Sequence, residues 1–204
     1  MNVKILNTIT LSALIFVGCA DKIKYIDTKD SKEYTSIGLD YHDIEDAAKK
    51  SVQSLLQSGY VKNLATEKKP KVLAISDVIN DTMQNFSTEE LTRKITRDMR
   101  NSGKFILTMA MSGSGGSTDK MLQQAREART NSEFNQYTVQ EKGSLIAPEL
   151  SLSGKIVQRN TKIGSKQRVD YYFLLTLTDI KTGLVVWDDE TNIIKLGKNK
   201  SVAW

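Results

Sequence analysis

Cysteine, histidine and proline are nearly absent from this chain: its 204 residues include one Cys, one His and two Pro. A single cysteine makes no internal disulfide, so the fold must rest on a packed core. The chain is long enough to build one. With His42 as its one histidine, the sequence offers no basis for a His-dependent triad. Cys and His are also too few for a zinc site. No Ser-x-x-Lys stands with its usual partner motifs. The sequence therefore predicts no catalytic residue, no metal and no cofactor. His42, among polar neighbours, is expected to be an exposed junction residue. The formal net charge of +5 is mild. It suits an anionic neighbour such as a lipid surface or a cell-wall polymer. No basic block carries interleaved aromatics, so no nucleic-acid partner is predicted. There is no internal repeat.

What is present begins with the lone cysteine. Met1-Asn2-Val3-Lys4 carries one positive charge, an apolar stretch from Ile5 to Val17 follows, and Gly18-Cys19 closes it. A charged start, a short apolar core and a small residue describe a secretory signal, too short for a comfortable membrane span. Phe16-Val17-Gly18-Cys19 resembles the bacterial lipobox, with Phe16 where Leu is usual. In that motif the cysteine thiol is diacylated, the chain is cut before it, and the new amine is acylated. Residues 1–18 are thus predicted to be a lipoprotein signal peptide, with Cys19 as the lipidation site. Residues 19–42 mix Lys, Asp and Glu with scattered apolar residues and no sustained period. They are predicted to be a flexible lipid-anchored tether. Residues 43–204 are predicted to form the globular domain.

The first helix is expected from an N-cap at Asp43, with Ile44, Ala47, Ala48, Val52, Leu55 and Leu56 on one face and Gly59 as its stop. Pro70 breaks the chain before a strand over 71–79, rich in β-branched residues. Ser87-Thr88-Glu89-Glu90 has the spacing of a capping box, with Phe86 and Leu91 at the positions of a hydrophobic staple. Leu91, Ile95 and Met99 continue the buried stripe, and Gly103 ends this helix. A short strand over 104–109, a polar helix over 121–129 and a loop over 130–148 follow. Beyond Pro148 the chain becomes strand-rich, with strands over 149–159, 167–180 and 184–196. Gly183 supplies the positive φ of the last hairpin. In the long strand, Val169, Tyr171, Phe173, Leu175 and Leu177 share one face, and Tyr172, Leu174 and Ile180 the other. That pattern predicts a central strand covered by helices at least in part on both faces. The fold class is α/β or α+β with a mixed sheet packed by helices.

Three polar features are candidates for chemistry. Ser112-Gly113-Ser114-Gly115-Gly116-Ser117 lies between a strand and a helix but has neither phosphate-loop spacing, and reads as a flexible loop. Asp188-Asp189-Glu190 alternates across a strand, so its carboxylates cannot converge on one ion without a bulge. Arg93, Lys94, Arg97 and Arg100 form a charged helix face. Of these, Arg93, Lys94 and Arg97 are the candidate partner-binding residues, because a charged face steers association. Trp187 reads as a core anchor, and Trp204 has no assigned role.

Two stretches carry a family resemblance. One is Ile79-Asn80-Asp81-Thr82, then Leu91-Thr92-Arg93-Lys94-Ile95 and Asn101-Ser102-Gly103-Lys104-Phe105. The other is Leu152-Ser153-Gly154-Lys155-Ile156-Val157, then Tyr171 to Asp179, then Thr182 to Trp187. In this order, after a lipobox, they resemble the LpoB family of outer-membrane lipoproteins over most of residues 43–197. The resemblance implies a domain like the N-terminal domain of the TolB family, a small mixed sheet packed with helices. It implies no enzyme, but a lipoprotein of the outer membrane, facing the periplasm. Such a protein binds and allosterically activates a class A penicillin-binding protein in peptidoglycan synthesis. The competing reading is a structural lipoprotein subunit of an envelope assembly, such as a secretion or flagellar-associated complex, which predicts a stable homo-oligomer.

Overall fold

A computed structural model of the chain describes residues 36–64, 69–111 and 119–198. Cys19, the Ser112–Ser117 loop and Trp204 lie outside the described residues. Helix α1 spans Tyr41–Gln57, α2 Gly59–Leu64, α3 Glu89–Asn101 and α4 Lys120–Glu127. The strands are β1 (Lys71–Asp81), β2 (Phe105–Leu107), β3 (Leu150–Ile163), β4 (Lys166–Asp179) and β5 (Val185–Lys198). They form one sheet in the order β2-β1-β3-β4-β5. β1 pairs in parallel with β2 and β3, and the β3–β4 and β4–β5 ladders are antiparallel. The α+β class with a mixed sheet is as the sequence predicts.

One face of the sheet carries the core. Leu73 and Val78 of β1, Leu150, Leu152 and Ile156 of β3, and Phe173, Leu175 and Leu177 of β4 meet the apolar stripes of α1 and α3 there. Each fully buried Leu or Ile in this layer contributes about 1.5–3 kcal/mol. Gly154 sits within it because a Cβ would lie 2.8 Å from Leu175 Cδ2 and 3.2 Å from Val78 Cγ2. The opposite face differs from expectation. β4 alternates buried with half-buried residues, so its second face is not sealed as its first is. Tyr172 and Leu174 are half-buried there, and Ile180 is exposed. The apolar content of that face reflects contacts with cross-strand neighbours, not a second helical layer.

Several boundaries also move, each for a local reason. α1 begins before Asp43. Asp40 is its N-cap, and the Asp40 and Asp43 side chains accept from each other's backbone N–H at 3.0 and 2.9 Å. Asp43 is therefore the third helical residue of a capping box, not the cap itself. Gly59 does not stop α1 in a left-handed conformation. Ser58 ends α1, and its hydroxyl accepts from Val61 N–H at 3.2 Å, so it also caps α2. The Ser87–Glu90 box does not close. Ser87 Oγ accepts from Glu89 N–H at 3.2 Å, and α3 starts after Thr88 without a side-chain cap. Phe86 still packs on the core, and Gly103 ends α3 with φ 67°. β3 and β4 are joined by a tight hairpin unforeseen from the sequence. Ile163 pairs with Lys166 across Gly164-Ser165, with Gly164 at φ 58°. Positive φ at the first central residue alone fits a type II′ turn. The β4–β5 turn has Gly183 at φ 74°, as expected.

Candidate functional site

The three predicted partner-binding residues project from α3, whose other side buries Leu91, Thr92, Ile95 and Met99. Arg93 is exposed and donates to Glu89 Oε1 at 2.6 Å, one turn back. Arg97 is exposed and lies 3.3 Å from Asp98 Oδ1. Lys94 is different. Its side chain is only 12% exposed, and its ammonium donates to Tyr41 Oη at 2.7 Å and Glu45 Oε1 at 3.1 Å. It also lies 4.1 Å from the centre of the Tyr41 ring. Burial alone would lower the Lys94 pKa, but the Tyr41 hydroxyl and the Glu45 carboxylate outweigh it and raise it. Lys94 thus fastens α3 to α1, while Arg93 and Arg97 stay solvent-exposed, each paired with an acid of its own helix.

The other candidates resolve in simple ways. Asp188 and Glu190 are exposed on one face of β5. Asp189 points to the other, where it accepts from Ser54 Oγ at 2.8 Å and binds β5 to α1. Among the described residues no group of three or more His, Cys, Asp or Glu side chains could hold a metal ion. His42 is half-buried within α1, edge-on to Tyr41 at 5.7 Å between ring centres, not an exposed junction residue. Trp187 is half-buried and packs on the core, as expected. A cleft of about 590 Å³ opens beside α4, lined by Met109, Leu122, Arg126, Arg129 and Leu145 among others. Arg126 there donates to Glu141 O at 3.3 Å and Ser144 Oγ at 3.0 Å, tying the 141–145 loop to α4.

One polar cluster was not anticipated. Lys195 of β5 is only 10% exposed and donates to Ser36 O at 3.0 Å, Gly38 O at 2.7 Å and Asp40 Oδ2 at 2.9 Å. It is also paired with Asp43. Burial is the largest influence on both carboxyls. In Asp40 the Lys195 ammonium and the Asp43 amide overcome it and hold the pKa below the usual range. In the more buried Asp43 burial wins and the pKa is raised. Tyr171, beneath them, donates to Ile37 O at 3.4 Å, and burial together with the Asp43 charge pushes its pKa up to about 12. The sequence held one signal, the Asp40-x-x-Asp43 spacing of a capping box. The partner, Lys195, lies more than 150 positions away.

Among the described residues these side chains are engaged in holding elements together or exposed on the surface. The arrangement presents surfaces for contact. Residues 43–193 match the family described as "Peptidoglycan-synthase activator LpoB". The chain belongs to the LpoB family. No curated protein matches its sequence. Among solved structures, the LpoB C-terminal domain from Salmonella enterica is 16% identical with a TM-score of 0.41, covering 74% of this chain and 98% of that one. The LpoB C-terminal domain from Escherichia coli is 17% identical with a TM-score of 0.40, over 74% and 98%. Lipoprotein GNA1162 from Neisseria meningitidis is 10% identical with a TM-score of 0.36, over 64% and 88%. The family assignment rests on the sequence match across the domain, not on these superpositions. LpoB is a family of regulatory activators, and its matched segment here takes in most of α1, all of α3 and β1 to β4, and the first part of β5.

Proposed function

We propose that this chain is an outer-membrane lipoprotein, acylated at Cys19 and facing the periplasm. In this role it binds a class A penicillin-binding protein and activates it allosterically in peptidoglycan synthesis. The observation that carries the reading is the family match over residues 43–193. The lipobox-like Phe16-Val17-Gly18-Cys19 supports the anchor. No described helix is long and apolar enough to cross a membrane, so attachment in this reading falls to the lipid. Activation requires only that the chain bind the synthase's active conformation better than its inactive one. A coupling of about 1–3 kcal/mol gives roughly a 5- to 150-fold shift.

The exposed guanidinium groups of Arg93 and Arg97 are the proposed docking charges, with Lys94 holding the helix that bears them. The link from the lipid is residues 19–35, because the chain from Ser36 onward is bonded to β5. At about 3.5 Å per residue it reaches at most about 60 Å. The partner must present its docking surface within the reach of this link plus the length of the domain from the outer membrane. In-cell crosslinking and pull-down of the lipidated protein test the reading. Recovery of a class A synthase, reduced by Arg93→Glu with Arg97→Glu, is the expected result. Recovery of other envelope proteins and no synthase would sink it.

A further inference from the structure

The far end of the β3–β4–β5 ladder, around the Gly164-Ser165 turn, has a composition that the core does not explain. Lys166 of β4 stands directly opposite Lys198 of β5. Like charges facing across a strand pair destabilise it. Arg159, Lys162, Lys166 and Lys198 make no ion pair among the described residues. On this face of β4, Asp170 is taken by Arg168 at 2.6 Å. Between these charges stand exposed aliphatic side chains: Ile163 (49% exposed), Ile194 (59%) and Leu196 (57%). Ladder register puts Ile163, Lys166, Lys198, Leu196 and Ile194 on one face of the sheet. Toward the β4–β5 turn the same face turns acidic, with exposed Asp188 and Glu190 on β5. The face is thus polarised: a basic, apolar tip and an acidic far end, an arrangement that orients in an anionic field.

The described chain enters the fold at this tip. Lys195 holds the Ser36 and Gly38 carbonyls. Ile37 packs on Val169 and Tyr171. Gly197 makes room for it, since a Cβ there would lie 2.6 Å from Ile37 Cδ1. Only residues 19–35 separate this point from Cys19. We propose that the β3–β4–β5 tip is a membrane-contact surface for anionic phospholipid headgroups. Lys166 and Lys198 meet lipid phosphates, and Ile163, Ile194 and Leu196 enter the headgroup layer. The proposal rests on the reading of Cys19 as the lipid anchor, which sets the membrane beside the tip. Juxtamembrane basic residues gain from the surface potential of anionic lipid, and neighbouring apolar residues add to it.

The test uses the full chain coupled through Cys19, its only cysteine, to a maleimide lipid in vesicles. One set contains about a third phosphatidylglycerol and the other phosphatidylcholine alone. Amine acylation of each lysine is read by mass spectrometry. Lys166 and Lys198 should react roughly threefold or more slowly on the anionic vesicles, and salt should restore them. Lys181, at the opposite end of β4, should react equally on both. Lys166→Glu should abolish the protection of Lys198. Equal reactivity at the tip on both vesicles, or protection by peptidoglycan sacculi in place of vesicles, would overturn the proposal. Acylation of Cys19 in cells is read separately from the mass of the N-terminal peptide. Failure of the anchor and failure of the tip contact are therefore distinct results.

Discussion

Lys195 fixes the place where the chain enters its domain. Its ammonium satisfies two backbone carbonyls and two carboxylates in a nearly closed site. Lys195→Met leaves Asp40 and Asp43 facing each other unpaired, and should destabilise the domain by about 3 kcal/mol in urea unfolding. An unchanged midpoint would show that the strap contributes nothing. Tyr171 beneath it titrates far above its ordinary value of 10.0, at about 12. For a group whose folded pKa is raised, the stabilisation is complete below the unfolded pKa and is lost as pH rises through the folded one. Stability should therefore fall between pH 10 and about 12 through this group, and Tyr171→Phe should remove that part of the slope. A slope identical in the variant would locate the titration elsewhere.

Among elements, α3 separates a structural role from the proposed recognition role within one charged face. Arg93→Glu with Arg97→Glu should leave stability within about 0.5 kcal/mol, since both side chains are exposed. It should weaken synthase binding. Lys94→Ala should instead lower stability by about 1–2 kcal/mol, because it removes the charge-assisted bonds that join α3 to α1. Equal stability losses from both changes would erase the distinction. The sequence showed this face but not the division within it. Periodicity reports which side of a helix is wet, whereas Lys94 is claimed by Tyr41 and Glu45 of a helix some fifty residues earlier. Likewise the alternation of β4 was readable, but the one-sided helical cover was not, because apolar residues on a sheet's outer face look the same whether a helix or a neighbouring strand covers them. The Gly164-Ser165 hairpin went unseen for a simpler reason. Polar residues on both sides of it gave no alternating apolar pattern to flag two paired strands. The Lys195 cluster was beyond local reading altogether, being made by residues from opposite ends of the domain.

In the proposed role the chain as a unit acts by position and contact. A lipid at Cys19, a link of residues 19–35, a tip that meets the membrane and a helix face that meets the synthase form one geometrical proposal. The membrane contact and the docking face lie on different elements, so charge reversal at Lys166 and Lys198 should leave stimulation of a soluble synthase intact. Reversal at Arg93 and Arg97 should diminish it. The most direct measurement is the rate of glycan-strand polymerisation by each class A synthase of the host, with and without the purified chain. The account predicts that at least one synthase is accelerated, within the roughly 5- to 150-fold that ordinary allosteric coupling allows. Unchanged rates for every class A synthase, with the chain folded and present in excess, would contradict it.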